Sequence, residues 1–371
     1  MKKVTLRILR LLALLLSIVA AVVLVATAYA GKADPQEHHF VAVIGLAFPF
    51  LLYALLALTV IWLILRQWAS AIVLVVAMIA SAEPILTLSP LNIGGGLNED
   101  DSDRAFTLLT FNTMHFFDHA ADSFFVEYPN RTAQFILDVD ADVVCFQEFV
   151  SKYQLHEQET ARKCLNDLCE RYPYVVGKEG EHELVLFSKY PVIRDSILKG
   201  KARYSTYSHI FDLEIKGHQL RIYNCHLQSI GLSDTKVEFD NSIPQLRHTD
   251  NATVDKDTIV SRLSTAFCLR AQQARCIRQS IDSAQTDNVI VCGDFNDTPG
   301  SFSYRTVRGN DLNDAYRQCA FGPTITFHGN HYYFRIDHVL YRGSLQAVDI
   351  VRPDIDCSDH YPLLTTFVWD D

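Results

Sequence analysis

The chain has no Cys-X-X-Cys pair and no Cys/His spacing that binds zinc, although it contains nine cysteines. This absence excludes the common structural zinc folds, and the lack of an internal repeat excludes solenoids and propellers. Positive charge is also scarce, since 43 Asp and Glu residues outnumber 33 Lys and Arg residues. Beyond residue 99 the numbers are 39 and 27, a net charge of −12. The composition therefore argues against a generally basic nucleic-acid-binding surface, although a local basic groove remains open.

The cysteines do not indicate a disulfide framework. Cys145, Cys225 and Cys292 lie inside apolar, strand-like runs, where cysteine usually serves as a small buried hydrophobe. A disulfide between Cys319 and Cys357 is an alternative that the sequence supports only weakly.

Long apolar runs fill the first ~95 residues. They cover residues 8–30, 40–65 and 68–82, and a transmembrane helix needs roughly 20 such residues. A signal peptide is the alternative for the first run, but this run is long and a second one follows it at once. We expect about three membrane-spanning helices, the third being the weakest because Glu83 and Pro84 interrupt its extension.

The orientation of these helices follows from the positive-inside rule. Lys2, Lys3, Arg7 and Arg10 precede or open the first run, and Arg66 separates the second run from the third. The amino terminus is therefore expected in the cytoplasm. Three spans would place the remainder of this integral membrane protein on the outer, periplasmic or extracytoplasmic, side, whereas two spans would leave it in the cytoplasm.

The composition predicts three segments. Residues 1–92 form the transmembrane region, residues 93–104 a glycine-rich and acidic linker, and residues 105–371 a single catalytic domain. Within that domain, residues 231–257 form a long polar stretch without periodicity, which is typical of a functional or mobile loop.

Strands outnumber helices in the predicted domain, and several pair through short turns. Residues 211–215 and 220–224, for example, flank Lys216-Gly217-His218, which is a hairpin pattern. This arrangement favours two mixed sheets packed face to face with helices outside, an α/β sandwich, over a doubly wound parallel sheet.

Polar side chains suited to metal or phosphate stand at the ends of many predicted strands. In "VIVCGDFND" an apolar run stops at a glycine and is followed by Asp294 and Asn296, which share one face. Any single case is also explained by a strand that runs into an Asn/Asp turn. Their number favours a ligand crevice, which in open sheets lies at strand ends. The positions are Asn112, Glu148, His226, Asp294, Asn296, Asp337, Asp359 and His360.

These residues, in this order and spacing, resemble the endonuclease/exonuclease/phosphatase superfamily, the Mg²⁺-dependent phosphoesterases of the DNase I type. The resemblance covers about residues 107–368, and "GDFNDTPGS", "SDHYP" and "RIDHV" are its most specific parts, with "FQE" and "SKYP" in support. It implies a four-layer α/β/β/α sandwich, here preceded by an N-terminal transmembrane helical region. The domain would then be a hydrolase acting on ester bonds.

The resemblance also implies roles for the residues at the strand ends. Glu148 is similar to the principal metal carboxylate of the family, with Asn112 beside it and Asp359 as a further acidic ligand. Such an oxygen-rich set suits Mg²⁺, with Mn²⁺ or Ca²⁺ as alternatives.

The catalytic residues are assigned by the same match. Asp294 would orient or deprotonate the attacking water, and Asn296 and His226 would hydrogen-bond the phosphoryl oxygens. His360 resembles the catalytic histidine, and Asp337 the acid that fixes its tautomer.

Two points of the match stay open. The family has an acid that partners the earlier histidine, and Glu181 and Glu183 both qualify for that role. In "TFHGNHYYFRID", Phe327 and Phe334 are expected to pack on the sheet, while the roles of His328 and His331 are left open.

Three functions follow from these observations. The first is a membrane-anchored phosphodiesterase or phosphatase acting on a lipid headgroup, a sugar phosphate or a nucleotide. The second is a nuclease, which requires a local basic groove despite the acidic surface, and the third is a catalytically inactive binding module on a membrane stalk. No protein partner is indicated. Candidates for the basic groove are Lys201, Arg203, Arg262, Arg305 and Arg335.

Overall fold

A computed structural model describes residues 2–118, 123–124, 130–149, 159–177, 183–199, 206–230, 256–329 and 332–370. Several predictions concern residues that lie outside these described ranges. They concern Glu181, His331, Lys201, Arg203 and nearly all of the long polar stretch at 231–257.

Five helices form the amino-terminal region. They are α1 (Lys2–Ala28), α2 (His39–Gly45), α3 (Phe48–Ile64), α4 (Trp68–Ala80) and α5 (Ala82–Leu88). The prediction of one continuous helix over residues 40–65 is wrong, because the chain breaks between α2 and α3. Gly45 and Pro49 flank this break, and both residue types favour helix ends.

Helices α1, α3 and α4 pack around a shared apolar core that includes Leu24, Leu52 and Leu74. The Tyr29 hydroxyl donates to the carbonyl of Ala80 at 2.8 Å, so the carboxyl ends of α1 and α4 lie together. Helix α3 runs in the opposite direction, since its carboxyl end contacts the middle of α1 and its amino end lies near the carboxyl end of α1. The three helices therefore cross the bundle in alternating directions.

One of these helices, over Val4–Lys32, is long and apolar enough to cross a membrane. Helices α4 and α5 meet that criterion only as a pair bent by 70°, and α3 is apolar but shorter.

Two six-stranded mixed sheets form the remainder, with strands numbered in chain order. The first contains, in spatial order, β13 (Leu345–Val351), β14 (Leu363–Trp369), β1 (Ala105–Asn112), β4 (Val143–Gln147), β6 (Val185–Ser188) and β5 (Tyr174–Val176). The second contains β11 (Asn313–Asp314), β12 (Asp337–Arg342), β10 (Val289–Asp294), β9 (His218–His226), β8 (Thr206–Ile215) and β7 (Val192–Lys199). Strands β2 (Phe117–Asp118) and β3 (Ser123–Phe124) form a separate small hairpin.

The sheets pack face to face, and helices cover their outer faces. Helices α6 (Arg131–Val139) and α7 (Glu159–Arg171) lie on the first sheet, and α8 (Lys256–Asp282) and α9 (Phe302–Arg308) on the second. The short α10 (Ala315–Cys319) packs beside β12 and β13. Because an apolar core fills the space between the sheets, the predicted four-layer α/β/β/α sandwich is confirmed.

The predicted hairpin is formed by β8 and β9, which pair as far as Ile215 and His218. Lys216 and Gly217 take positive φ values of 53° and 86°, as the tight turn of a twisted hairpin requires. All nine cysteines lie within the described ranges and are free thiols, so the disulfide alternative is wrong. The Cys319 thiol instead lies 3.1 Å from the carbonyl oxygen of Ala347.

Strand direction brings the polar strand ends to one edge of the sandwich. Strands β1 and β4 are parallel, as are β9 and β10, so their carboxyl ends point the same way. Strand β12 is antiparallel to β10, which places its first residue, Asp337, opposite Asp294. Between the sheets, Gln147 Nε2 donates to Asn224 Oδ1 at 2.6 Å, and this buried bond fixes one sheet against the other just behind that edge.

Candidate active site

Asp294 lies at the centre of this edge and is only 1% exposed. Its Oδ1 accepts a hydrogen bond of 2.7 Å from the backbone N–H of Asn296. Its Oδ2 accepts bonds of 3.2 Å from the amides of Asn112 and Asn296. Three hydrogen-bond donors thus fix the carboxylate. One belongs to Asn112 at the end of β1 in the first sheet, and two belong to Asn296, which follows β10 of the second sheet.

His360 and Asp337 form a buried pair beside Asp294. His360 Nδ1 lies 2.9 Å from Asp337 Oδ2, and its Nε2 lies 3.6 Å from Asp294 Oδ2. The backbone N–H of Asp337 donates to Thr326 Oγ1 at 3.0 Å, which holds the start of β12 in place. Because Asp337 faces Nδ1, the Nε2 atom is the one presented to the site.

Glu148 completes the edge from the first sheet. It follows β4 with a φ of 48°, a left-handed conformation that costs a non-glycine residue about 1–3 kcal/mol. Its Oε1 accepts from Asn112 Nδ2 at 3.1 Å and lies 3.6 Å from His226 Nε2. His226 Nε2 is also 3.7 Å from Asp294 Oδ2, so the imidazole stands between two carboxylates.

The protonation behaviour of the site follows from burial and from these charges. Burial raises the pKa of Asp294 to about 6, with His360 opposing the rise and Asp337 adding to it. Burial alone would lower the pKa of His360, but Asp337 and Asp294 outweigh it and raise that pKa well above its ordinary value. Burial would likewise raise the pKa of Glu148, yet the neighbouring His226 and His115 bring it below the ordinary value.

The donor set fits a divalent cation that prefers oxygen ligands. Glu148 and Asn112 lie side by side. Asp359 follows Ser358, whose hydroxyl donates to the carbonyl oxygen of Asn112 at 2.8 Å. Among the described residues, Asp294, Asp337 and His360 form an acid–histidine group whose ligand atoms lie within 4.8 Å of one another.

His115 belongs to the site and was missed by the sequence analysis. Its Nδ1 lies 3.6 Å from Glu183 Oε1, and its Nε2 lies 3.9 Å from Glu148 Oε2. His115 Nδ1 also lies 3.1 Å from the carbonyl oxygen of Phe149. The expected role of Glu183 as partner of the earlier histidine stays a prediction. Burial raises the pKa of Glu183, against the opposing effect of His115. The sequence did show a histidine three residues after Asn112, which could have suggested a further site residue. Its left-handed backbone, with a φ of 55°, could not be read from the sequence.

The loop after β10 is held by a second buried network. Asn296 Nδ2 donates to Leu227 O at 3.0 Å as well as to Asp294, so its amide protons are used within the protein. Asp297 accepts from Ser303 and lies 3.4 Å from Arg270 Nε. The expected contact of Asn296 with phosphate stays a prediction.

Phe327 and Phe334 lie next to the site, and their expected packing on the sheet stays a prediction. Phe327 pairs with Phe334 across a β-bridge, and its ring centroid lies 5.0 Å from that of His360. The ring centroids of His328 and Tyr361 lie 4.4 Å apart, so His328 packs against Tyr361.

Two basic candidates for a nucleic-acid groove are engaged elsewhere. Arg305 donates to Gly300 O and pairs with Glu83 at 2.9 Å. Arg335 is 3% exposed, donates to Thr87 O and lies 3.5 Å from Asp314 Oδ2. Arg335 is therefore too buried to line a groove, and the Arg305 side chain is already paired with Glu83. Of the described candidates, the half-buried Arg262 remains.

Comparison with known families matches two parts of the chain. The model of the Endonuclease/Exonuclease/phosphatase family matches residues 109–360. A domain of unknown function (DUF8431) matches residues 8–88. No curated protein matches the chain.

Many solved structures are similar to this chain. An endonuclease/exonuclease/phosphatase from Bacteroides vulgatus is 20% identical with a TM-score of 0.48, covering 72% of this chain and 99% of that one. A second from Beutenbergia cavernae is 16% identical with a TM-score of 0.49, covering 72% of each chain. A mannosyl-6-phosphatase from Bacteroides thetaiotaomicron is 17% identical with a TM-score of 0.47, covering 71% of this chain and 100% of that one.

The family model covers more than half of the chain, and it spans the sandwich that carries the site apart from the first residues of β1 and strand β14. The chain therefore belongs to the endonuclease/exonuclease/phosphatase family, whose members are hydrolases of phosphoester bonds.

Proposed function

We propose that this protein is a membrane-anchored, divalent-metal-dependent phosphoesterase that cleaves a phosphodiester or phosphomonoester by in-line attack of water. The observation that carries the proposal is the buried carboxylate of Asp294, held by Asn112 and Asn296 and faced by the His360–Asp337 pair.

Asp294 is the residue that orients and deprotonates the attacking water. A general base works best with a pKa near the working pH, and burial raises the pKa of Asp294 to about 6. Its three hydrogen-bond donors leave little freedom for reorientation, so a water bound to it has a fixed direction of attack.

His360 supplies positive charge and a proton beside Asp294. With Asp337 on Nδ1, its imidazolium form is favoured and Nε2–H points into the site. That N–H stabilises the charge that develops on the phosphoryl group and can pass its proton to the leaving oxygen. His226, between Glu148 and Asp294, is placed to hydrogen-bond a phosphoryl oxygen.

Glu148 and Asn112, with Asp359, are the residues that would hold the metal ion. Mg²⁺ suits this oxygen set best, with Mn²⁺ or Ca²⁺ as alternatives. When bound, the ion would supply charge neutralisation on the phosphate oxygens.

We also propose that α1, α3 and α4 each cross the membrane and that the catalytic domain lies on the outer side. The alternating helix directions support this topology. They place Arg66, between α3 and α4, at the same end of the bundle as Lys2 and Arg7, and a shared basic end is typical of the cytoplasmic side.

The enzyme proposal is tested with the full chain in detergent and a soluble aryl phosphodiester. Asp294→Asn and His360→Gln should each lower kcat by about 10²–10⁴, the usual contribution of general acid–base groups. Asp282→Asn is the matched control, because the Asp282 side chain is 63% exposed and lies at the carboxyl end of α8. A wild-type protein that stays inactive with Mg²⁺, Mn²⁺ and Ca²⁺ on diesters, monoesters and nucleotides would refute the proposal.

The topology is tested by a reporter that is active only outside the cytoplasm. Fused after Asp100, in the segment between the helices and β1, it should be active; activity of a cytoplasm-only reporter at the same position would contradict three spans.

A further inference from the structure

We propose that the catalytic edge of the sandwich lies on the bilayer surface, and that the substrate is a phosphoester of a membrane lipid in that leaflet. This inference rests on the proposed phosphoesterase function and names its substrate class. Three loops that carry or support the active site each contact the amino-terminal helical region, close to the carboxyl end of α1.

The first contact joins the loop after β10 to the end of α1. Gly31 stands three residues beyond α1, and a Cβ at that position would lie 1.9 Å from the carbonyl oxygen of Gly300. Gly300 is four positions after Asn296, a distance of at most about 14 Å along the chain. The loop that carries Asn296 therefore stays close to the end of α1, where the proposed topology puts the bilayer surface.

The second contact runs through α8. Arg270 on this helix donates to Gln228 O at 3.0 Å, two residues after His226. Two neighbouring residues of α8 bind the segment between α1 and α2. The Cys268 thiol lies 3.4 Å from Pro35 O, and Arg275 forms an ion pair with Asp34.

The third contact runs from α5 to the loop that carries Phe327. Arg335, two residues before Asp337, donates to Thr87 O at 2.7 Å. Beyond α5, Leu91 forms a β-bridge with Phe321. Phe321 is six residues before Phe327, whose ring lies on His360. The active site is therefore attached to the helical region on several sides of its opening.

Apolar side chains stand exposed along this attachment. Phe40 on α2 is 69% exposed, and Leu91 and Phe321 are 66% and 64% exposed. Helices α4 and α5 are bent by 70°, so α5 turns away from the bundle axis and lies across its end. Aromatic and aliphatic groups at this level suit the membrane interface, where such residues lie at the headgroup layer.

Charge favours a lipid over a nucleic acid as the substrate that this surface presents. The chain beyond residue 99 has a net charge of −12, which repels a polyanion but places little penalty on a lipid with one phosphate. Two of the basic residues that would have formed a groove, Arg305 and Arg335, instead bind the helical region through Glu83 and Thr87.

Hydrolysis of a lipid phosphodiester requires water as the only other reactant. The water oxygen bonds to phosphorus and the P–O bond to one alcohol breaks; the water proton passes to Asp294, and the leaving oxygen takes a proton from His360. One lipid phosphodiester and one water give one alcohol and one phosphomonoester.

The test uses the full chain reconstituted in vesicles of phosphatidylcholine and phosphatidylglycerol with Mg²⁺, and a soluble aryl phosphodiester in parallel. Phe321→Glu and Leu91→Glu should each lower hydrolysis of the vesicle lipids by about tenfold. Hydrolysis of the soluble diester should stay within about twofold of the wild-type rate. A tenfold change corresponds to a loss of only about 1.4 kcal/mol of interaction with the membrane interface. Ile193→Glu is the matched control. Ile193 is 57% exposed on the edge strand β7, and it should change neither activity.

The outcomes separate the two proposals. If the wild type hydrolyses the soluble diester but leaves the lipids of its own bilayer intact, the lipid inference is overturned and the phosphoesterase proposal stands. Equal losses of lipid hydrolysis in Phe321→Glu and Ile193→Glu would also overturn it. If neither substrate is hydrolysed, the lipid inference is overturned, and the phosphoesterase proposal also fails if the monoesters and nucleotides of the wider panel stay intact with all three metals.

Discussion

Replacing Asp337 by asparagine should move both limbs of the pH–rate profile toward acid. Asp337 Oδ2 lies 2.9 Å from His360 Nδ1 and raises the pKa of the imidazole. The same charge raises the pKa of Asp294, which is about 6 in the intact site. Asparagine keeps the acceptor for Nδ1–H but removes the charge, so both pKa values fall together.

The size of the effect follows from the geometry. Two unit charges about 4 Å apart interact by about 4 kcal/mol at an effective dielectric constant of about 20, which corresponds to roughly 3 pKa units. The alkaline limb, which we assign to His360, should therefore shift down by as much as about 3 units. At a fixed pH above the shifted limb, kcat should fall by up to about 10³.

The assay is kcat against pH for the wild type and Asp337→Asn on a soluble aryl phosphodiester with saturating metal. Asp349→Asn, on β13, serves as the control for a carboxylate removed away from the site. A variant with normal kcat and unmoved limbs would refute the assignment of Asp337 as the group that charges His360. A fall in kcat without any shift of the limbs would show that Asp337 only supports the fold.

Three further outcomes are expected. Gly293→Ala should lower the unfolding free energy by about 3 kcal/mol and the melting temperature by about 6–12 °C, because the φ at Gly293 is 122° and the new Cβ would lie 2.1 Å from Cys225 O; an unchanged melting curve would contradict this. Burial lowers the pKa of His338 to about 4. Between pH 6.5 and 4, His338 therefore binds a proton in the unfolded chain but stays neutral in the folded chain. Stability should fall by as much as about 3 kcal/mol from pH 6.5 to 4, and His338→Gln should flatten that part of the curve; an identical slope in both proteins would refute it. Glu83→Gln leaves three arginines without their carboxylate partner. It should lower the free energy of thermal unfolding by about 1 kcal/mol more than the exposed Glu99→Gln. Equal losses in the two variants would show that the ion cluster does not stabilise the fold.

The catalytic edge was predictable because it depends on short-range rules. An apolar run predicts a strand, and the polar residue after it lies at the strand end, so Asn112 and Asp294 could be placed without knowledge of the topology. The hairpin of β8 and β9 was likewise predicted from the local sequence Lys216-Gly217-His218.

What could not be predicted depends on contacts distant in the sequence. The left-handed backbone of His115 is set by a hydrogen bond from its N–H to Glu148 O, 33 residues away in the numbering. The strand β13 is only partly apolar and exists because it pairs with β14 at the chain end. Nothing local distinguishes Arg305 from a surface arginine, since its partner Glu83 belongs to another part of the fold.

The pairing of β1 with β14 has a consequence for biosynthesis. Ala105 opens the sandwich and lies opposite Val368, so the first strand of the sandwich to leave the ribosome pairs with the last. The first sheet keeps one open edge until Leu363–Trp369 have been synthesised. During that interval the backbone of β1 is unpaired on one side. Loss of the final strand would leave that edge permanently open to pairing with other chains, so we expect chains cut short before Leu363 to be recovered as aggregates and removed by quality control.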